Sequence, residues 1–249
     1  MAKIRENNVS LSEQRKTLHK NLNFTAAEAY KLLRTNILFS LPDENRCRII
    51  GVTSSLRGEG KSTSAINLSY SLAEAGKRVL LIDADMRLPS VAKKMEISND
   101  VGLSNILVNS GERMGVSVYK TLVHENWHII TSGSIPPNPS ELLGSNRMKK
   151  LLEALSAKYD FIIIDLPPVD IVTDALVIAP VIDGMVIVVK ENSTDRRSLN
   201  ECVRLLKMSD AKILGFVMTG VKESDGAYGR YKYKYKYGSS YGSKNEVED

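Results

Sequence analysis

Residues 48–83 read RIIGVTSSLRGEGKSTSAINLSYSLAEAGKRVLLID, and their pattern decides the fold. A β-branched run from Arg48 to Thr53 breaks into a glycine-bearing loop. An amphipathic stretch, Lys61 to Ala75, follows, and a second apolar run ends at Asp83. Strand, helix and strand in that order form the unit from which parallel sheets are built. The same alternation extends outward. Strands are expected at Arg48–Thr53, Arg78–Asp83, Trp127–Thr131, Phe161–Asp165, Gly184–Val189 and Lys212–Met218. Helices are expected at Ala26–Phe39, Lys61–Ala75, Gly102–Asn109, Arg147–Lys158, Thr173–Ala179 and Asp195–Lys207. VLLID, FIIID and MVIVV are apolar at successive positions, so neither face of those strands suits water and helices must cover both.

The loop between the first strand and its helix, Ser54 to Thr63, has the setting of a phosphate-binding loop. Gly58 and Gly60 let the backbone curl so that successive N–H groups point inward, and the helix beginning near Lys61 adds its positive end. Lys61 would reach the β- and γ-phosphates, and Ser62 would offer its hydroxyl to Mg²⁺. The candidate cradle is Ser55, Arg57, Gly58, Glu59, Gly60, Lys61, Ser62 and Thr63. Ser55 stands where the strict pattern has glycine. The expected class is α/β and P-loop NTPase-like: a mostly parallel sheet with helices on both faces.

Two carboxylate clusters close apolar strands, at the sheet edge where open α/β folds bind ligands. VLLIDADMR supplies Asp83, Asp85 and Arg87; FIIIDLPP supplies Asp165, followed by Pro167 and Pro168. A single aspartate ending a strand commonly just caps the next element. Three converging on one phosphate loop suit a nucleotide with its cation, and Asp165 has the position of a Walker B acid. Candidate metal ligands are Ser62, Asp83 and Asp165, and candidate catalytic residues are Lys61, Asp83, Asp85 and Asp165. If the phosphoryl acceptor is a phenol, with a pKa of about 10, a carboxylate with a pKa of about 4 cannot take its proton early. It can accept the proton late, as the oxygen bonds to phosphorus. Either Asp83 or Asp85 fits that role.

Composition narrows the alternatives. The chain has 249 residues, 43% hydrophobic and 25% charged, which excludes wholesale disorder. No apolar run reaches the roughly 18 residues of a membrane span: the best, Ala175 to Val189, is broken by Pro180 and Asp183. Met1 to Lys20 is polar, so a cytoplasmic setting is expected. Cys47 and Cys202 are too few for a disulfide framework. The net charge of +5 sits mostly at the ends, since residues 1–22 carry five bases against two acids and residues 222–244 carry six against two. The middle is nearly neutral, which argues against a nucleic-acid-binding face there.

Three segments follow: a flexible basic arm at 1–22, a domain at 23–221, and a flexible, disordered tyrosine-rich tail at 222–249. Six of the ten tyrosines lie in the tail, namely Tyr228, Tyr231, Tyr233, Tyr235, Tyr237 and Tyr241. Alternating tyrosine and lysine has other readings, among them an edge strand, a stacking platform for single-stranded nucleic acid, or low-complexity filler. Topology favours a substrate role. In a parallel sheet the tail leaves Gly220 at the edge that carries the phosphate loop, and ten further residues span at most roughly 35 Å. Its lysines would be drawn to Asp83, Asp85 and the nucleotide phosphates.

Taken together, these motifs resemble the bacterial tyrosine kinases of capsule and exopolysaccharide biosynthesis, from about Glu28 to Tyr241. Ser55–Thr63 matches their Walker A loop, Asp83–Arg87 their Walker A′ motif D-x-D-x-R, and Asp165–Pro168 their Walker B motif D-x-x-P. The resemblance implies ATP- and Mg²⁺-dependent autophosphorylation of the tail tyrosines between copies, with Arg87 joining the nucleotide site. It also implies a transmembrane adaptor of the polysaccharide co-polymerase type, recruitment to the inner face of the cell membrane, a ring-like homo-oligomer, a cognate phosphotyrosine phosphatase, and control of polysaccharide export. No nucleic-acid partner is implied. Arg57 replaces the family's usual proline. The family's oligomerisation motif E-x-x-R-x-x-R appears as Glu28, Lys31 and Arg34 on the helix at about 26–39, and lysine lacks arginine's bidentate fork. The bland reading of those three is a charge row on an amphipathic helix. The alternative function is an ATPase switch of the partitioning and division type, but Leu56 occupies the position of that group's signature lysine. A nucleic-acid adaptor using the tail is a third reading.

Overall fold

The computed structural model describes residues 4–6, 22, 24–41, 46–108 and 118–221. The expected tail, with its six tyrosines, and most of the expected arm lie outside the described residues. The elements are β1 (Ile4–Glu6), α1 (Phe24–Ser40), β2 (Arg48–Ser54), α2 (Lys61–Glu74), β3 (Val79–Asp83), α3 (Val91–Met95), α4 (Leu103–Val108) and β4 (Val118–Lys120). They continue with β5 (Trp127–Ile130), α5 (Pro139–Leu143), α6 (Asn146–Ser156), β6 (Phe161–Asp165), α7 (Asp174–Ile178), β7 (Gly184–Lys190), α8 (Arg196–Met208) and β8 (Ile213–Thr219).

One sheet carries all eight strands in the order β1-β4-β5-β3-β6-β2-β7-β8. The six expected strands are mutually parallel, and β4 pairs antiparallel with β5. Within the segment read as a flexible arm, Ile4–Glu6 pairs parallel with β4 and closes that edge of the sheet. Backbone hydrogen bonding to an exposed edge needs little from side chains, so a three-residue strand leaves almost no trace in hydrophobic pattern.

The apolar runs divide by alternation. In β6, Phe161 and Ile163 join a core with α1, α2 and α3 residues such as Ile37, Leu68 and Met95. Ile162 and Ile164 join the opposite core with α6 and α8 residues such as Leu152 and Leu206. Each such side chain is fully or almost fully buried and contributes about 1.5–3 kcal/mol by leaving water. Both faces of the sheet are covered, as the unbroken apolar strands require.

Helix α2 is buried nearly all round and is rich in serine and alanine, which let it lie close on the sheet. Helix α1 is fastened to it by Arg34, whose Nη1 donates to the carbonyl of Ser71 at 2.7 Å. Glu28 pairs with Lys31 on the same helix at 2.7 Å. Within one copy these three residues therefore serve as an i, i+3 pair and an anchor. Among the described residues, no helix is long and apolar enough to cross a membrane.

Candidate active site

Gly60 precedes α2 with φ 92° and supplies no side-chain cap, so the first amides of the helix face outward unsatisfied. Gly58 is left-handed as well, at φ 79°. A β-carbon would be strained at both positions, and the loop's curl depends on them. The resulting pocket is lined by Arg57, Gly58, Gly60, Lys61, Ser62 and Thr63 on the loop side, and by Asp85, Arg87 and Pro168 opposite.

Lys61 lies at the centre. Its Nζ is 2.8 Å from Asp85 and 3.4 Å from Asp165. Burial pulls its pKa down, but the charges of Asp165, Asp85 and Asp83 outweigh that and hold it above the ordinary lysine value. Asp165, at the end of β6, is fully buried, and burial raises its pKa against the opposing pull of Lys61.

Asp83 faces Asp165 in cross-strand register. Its pKa is pushed up to about 8, by burial first and then by the neighbouring Asp165 charge. Its Oδ1 accepts the amide of Asp85 at 3.2 Å, and its Oδ2 accepts the amides of Ser90 and Val91 at 3.2 and 3.0 Å. A carboxylate so engaged braces the turn after β3 and the start of α3. Asp83, expected as a metal ligand or proton acceptor, does not line the pocket, and both of its oxygens accept backbone amides while keeping further lone pairs. Asp85 is the carboxylate that lines the pocket.

Two further residues expected in the nucleotide cradle have their side chains buried beneath it. Ser55 is fully buried, and Glu59 is 1% exposed. The Glu59 carboxylate accepts the amide of Leu56 at 2.9 Å and a short bond from the Thr194 hydroxyl. Its carbonyl accepts from Thr219 Oγ1 at 2.7 Å. Glu59 thus ties the loop to the β7–α8 connection and to the end of β8. Neither threonine stands out in sequence, because hydroxyls 135 and 160 residues away give no local signal.

Arg87 reaches the pocket, but its guanidinium forks onto Asp174, with Nε and Nη2 each at 3.0 Å, and Nη2 also meets Ser140 Oγ. Asp174 and Ser140 are further residues that the motifs did not reveal. The rim carries Arg57, Arg87 and Lys94. With Asp83 buried and Asp85 paired with Lys61, the nucleotide phosphates are the partners left to the tail lysines in that expectation.

The second oxygen of Asp165 is buried without a hydrogen-bond partner, and the Ser62 hydroxyl lies beside the same carboxylate. An orphaned carboxylate oxygen next to a hydroxyl, at the mouth of a phosphate loop, is the donor set a hard divalent cation takes. The residues fit Mg²⁺.

A protein-family model described as an AAA domain matches residues 47–211. The tyrosine-protein kinase YwqD of Bacillus subtilis is 38% identical over 219 residues, covering 88% of this chain and 90% of that protein. The chain belongs to the bacterial tyrosine-protein kinases. The tyrosine-protein kinase CpsD of Streptococcus agalactiae is 37% identical to this kinase, over 82% of the chain and 87% of CpsD. The crystal structure of the chimerical protein CapA2B2 superposes on it with a TM-score of 0.75 at 34% identity, covering 84% of this chain and 90% of that one.

Proposed function

We propose that this chain uses ATP and Mg²⁺ to phosphorylate tyrosines at the C-terminus of a neighbouring copy, and thereby regulates capsular and extracellular polysaccharide synthesis and export. The observation that carries the reading is the Lys61 centre: one ammonium between a pocket carboxylate, Asp85, and a buried one, Asp165. When phosphates enter, Lys61 turns to them and releases Asp85. The amides at the start of α2 hold the β- and γ-phosphates in place. Mg²⁺, held by Ser62 and Asp165 together with phosphate oxygens, would neutralise charge developing between the β- and γ-phosphates. As the phenolic oxygen bonds to the γ-phosphorus, its proton passes to Asp85. The bond from that phosphorus to the β-bridging oxygen breaks, and ADP leaves.

The end of β8, bonded to the phosphate loop through Thr219, supports delivery of a tail to such a site. Each phosphotyrosine adds about −1.5 to −2 charge. Modified tails would then be repelled by bound nucleotide, and a ring of copies would come apart. Within the same reading, a transmembrane adaptor recruits and activates the kinase at the membrane, and a phosphotyrosine phosphatase resets it.

The test is intact mass after incubation with Mg·ATP, with and without a candidate adaptor segment. Increments of roughly 80 Da on the tail tyrosines are expected, one per phosphoryl group, and none for Lys61→Met. Phosphate release without any mass gain would favour the ATPase switch instead.

A further inference from the structure

We propose that the apolar lip of the active-site pocket is the docking site for the phenol ring of the acceptor tyrosine, an inference that rests on the kinase reading above. Leu88 is 53% exposed and Ile171 is 43% exposed. Single exposed aliphatic residues are ordinary. These two, however, line one cavity of about 400 Å³ together with Pro167, Pro168, Asp85 and Lys61.

Both sides of the lip are held rigidly. The Leu88 amide donates to Asp85 Oδ1 at 3.0 Å, so its backbone is registered on the carboxylate that would accept the proton. On the other side Thr53 Oγ1 donates to the Pro167 carbonyl at 2.7 Å, and the Val169 amide to the Ser54 carbonyl at 2.9 Å. The Ile171 amide closes a turn onto the Pro168 carbonyl at 3.4 Å. Apolar surface on pinned backbone can receive a flat ring with less ordering of the protein to offset.

Direction follows from the occupants of the rest of the pocket. Loop amides and the start of α2 take the phosphates, and Asp85 lies across Lys61 from them. A ring resting on Leu88 and Ile171 presents its hydroxyl to the Asp85 oxygen that Lys61 now holds. A serine, with its hydroxyl on the β-carbon, has no ring to rest on the lip. Burial of the ring adds binding energy that a serine side chain lacks, and so selects tyrosine.

The full chain is assayed with Mg·ATP and a peptide of the sequence of residues 228–241. The same peptide with every tyrosine replaced by phenylalanine serves as inhibitor. Leu88→Ser and Ile171→Ser should each raise KM for the peptide about tenfold, the usual effect of losing one aliphatic contact in an apolar subsite. The phenylalanine peptide should weaken as an inhibitor in parallel, Leu88→Met should restore both, and affinity for Mg·ADP should not change. Thermal melting verifies folding. An unchanged peptide KM in both serine variants overturns the proposal, and so does a loss of Mg·ADP affinity, which would give the lip to the nucleotide. If the unmodified chain hydrolyses ATP yet never labels the peptide, the kinase reading fails and takes this inference with it.

Discussion

Thr219 Oγ1 donates to the carbonyl of Glu59 at 2.7 Å, joining the last residue of β8 to the middle of the phosphate loop. The chain beyond Val221 therefore departs from a point in direct contact with the nucleotide cradle. Thr219→Val keeps the shape and removes the bond. Losing one such bond costs about 1 kcal/mol. The expected outcome is a severalfold loss of Mg·ADP affinity, measured by titrating a fluorescent ADP analogue, with a fall in melting temperature of about 2–4 °C.

Asp83 and Asp85 should fail differently. Asp85→Asn keeps the pocket but cannot accept the phenolic proton, so phosphoryl transfer should fall by about 10²–10⁴ with ADP affinity nearly retained. Asp83→Asn leaves one backbone amide facing another donor, and should lower stability by about 1–3 kcal/mol. Single-turnover labelling and urea denaturation on each variant separate the two. Equal kinetic defects with equal stability would show that the division of roles is wrong.

The pH dependence of stability has a defined sign. The Asp83 pKa rises from 3.8 to about 8 on folding, so the folded chain binds this proton more tightly than the unfolded one. The stability it contributes is complete on the acid side of that window and is lost as pH climbs from 3.8 to about 8. Urea midpoints recorded without nucleotide should decline across that range. In Asp83→Asn the decline should flatten, so the variant's deficit should shrink as pH rises.

Arg87 is the partner of a fully buried carboxylate, Asp174, while its own side chain is 37% exposed. Arg87→Ala strands that carboxylate, and the expected loss is about 2–3 kcal/mol, less than for a wholly buried pair. Adding Asp174→Asn should recover a good part of it. Additive losses in denaturant titrations would mean that the fork contributes little.

The parallel strands inside the sheet and the phosphate loop were legible because buried parallel strands need unbroken apolar runs and because glycine punctuates the loop; β8, at the edge and half exposed, was legible from its β-branched and aromatic residues. The ends of those strands were legible as carboxylates, but their division of labour was not. Asp83 carries backbone amides on both oxygens, whereas Asp85 takes one amide, from Leu88, and turns its other oxygen to Lys61. The anchoring of Glu59 was not legible, because its partners, Thr194 and Thr219, come from the far end of the chain. Strands β1 and β4 escaped notice because three-residue pieces carry no period. Helix α7 is shorter than expected, since Pro180 turns the chain into a 3₁₀ stretch at Ala179–Val181.

Nη1 of the Arg34 guanidinium is spent inside its own copy, on the backbone and hydroxyl of Ser71. A guanidinium has five N–H donors, so a neighbouring molecule can engage this cation while the first helix stays fastened to the element that begins at the nucleotide. Through that shared arginine, a contact between copies would bear directly on the helix behind the phosphate loop.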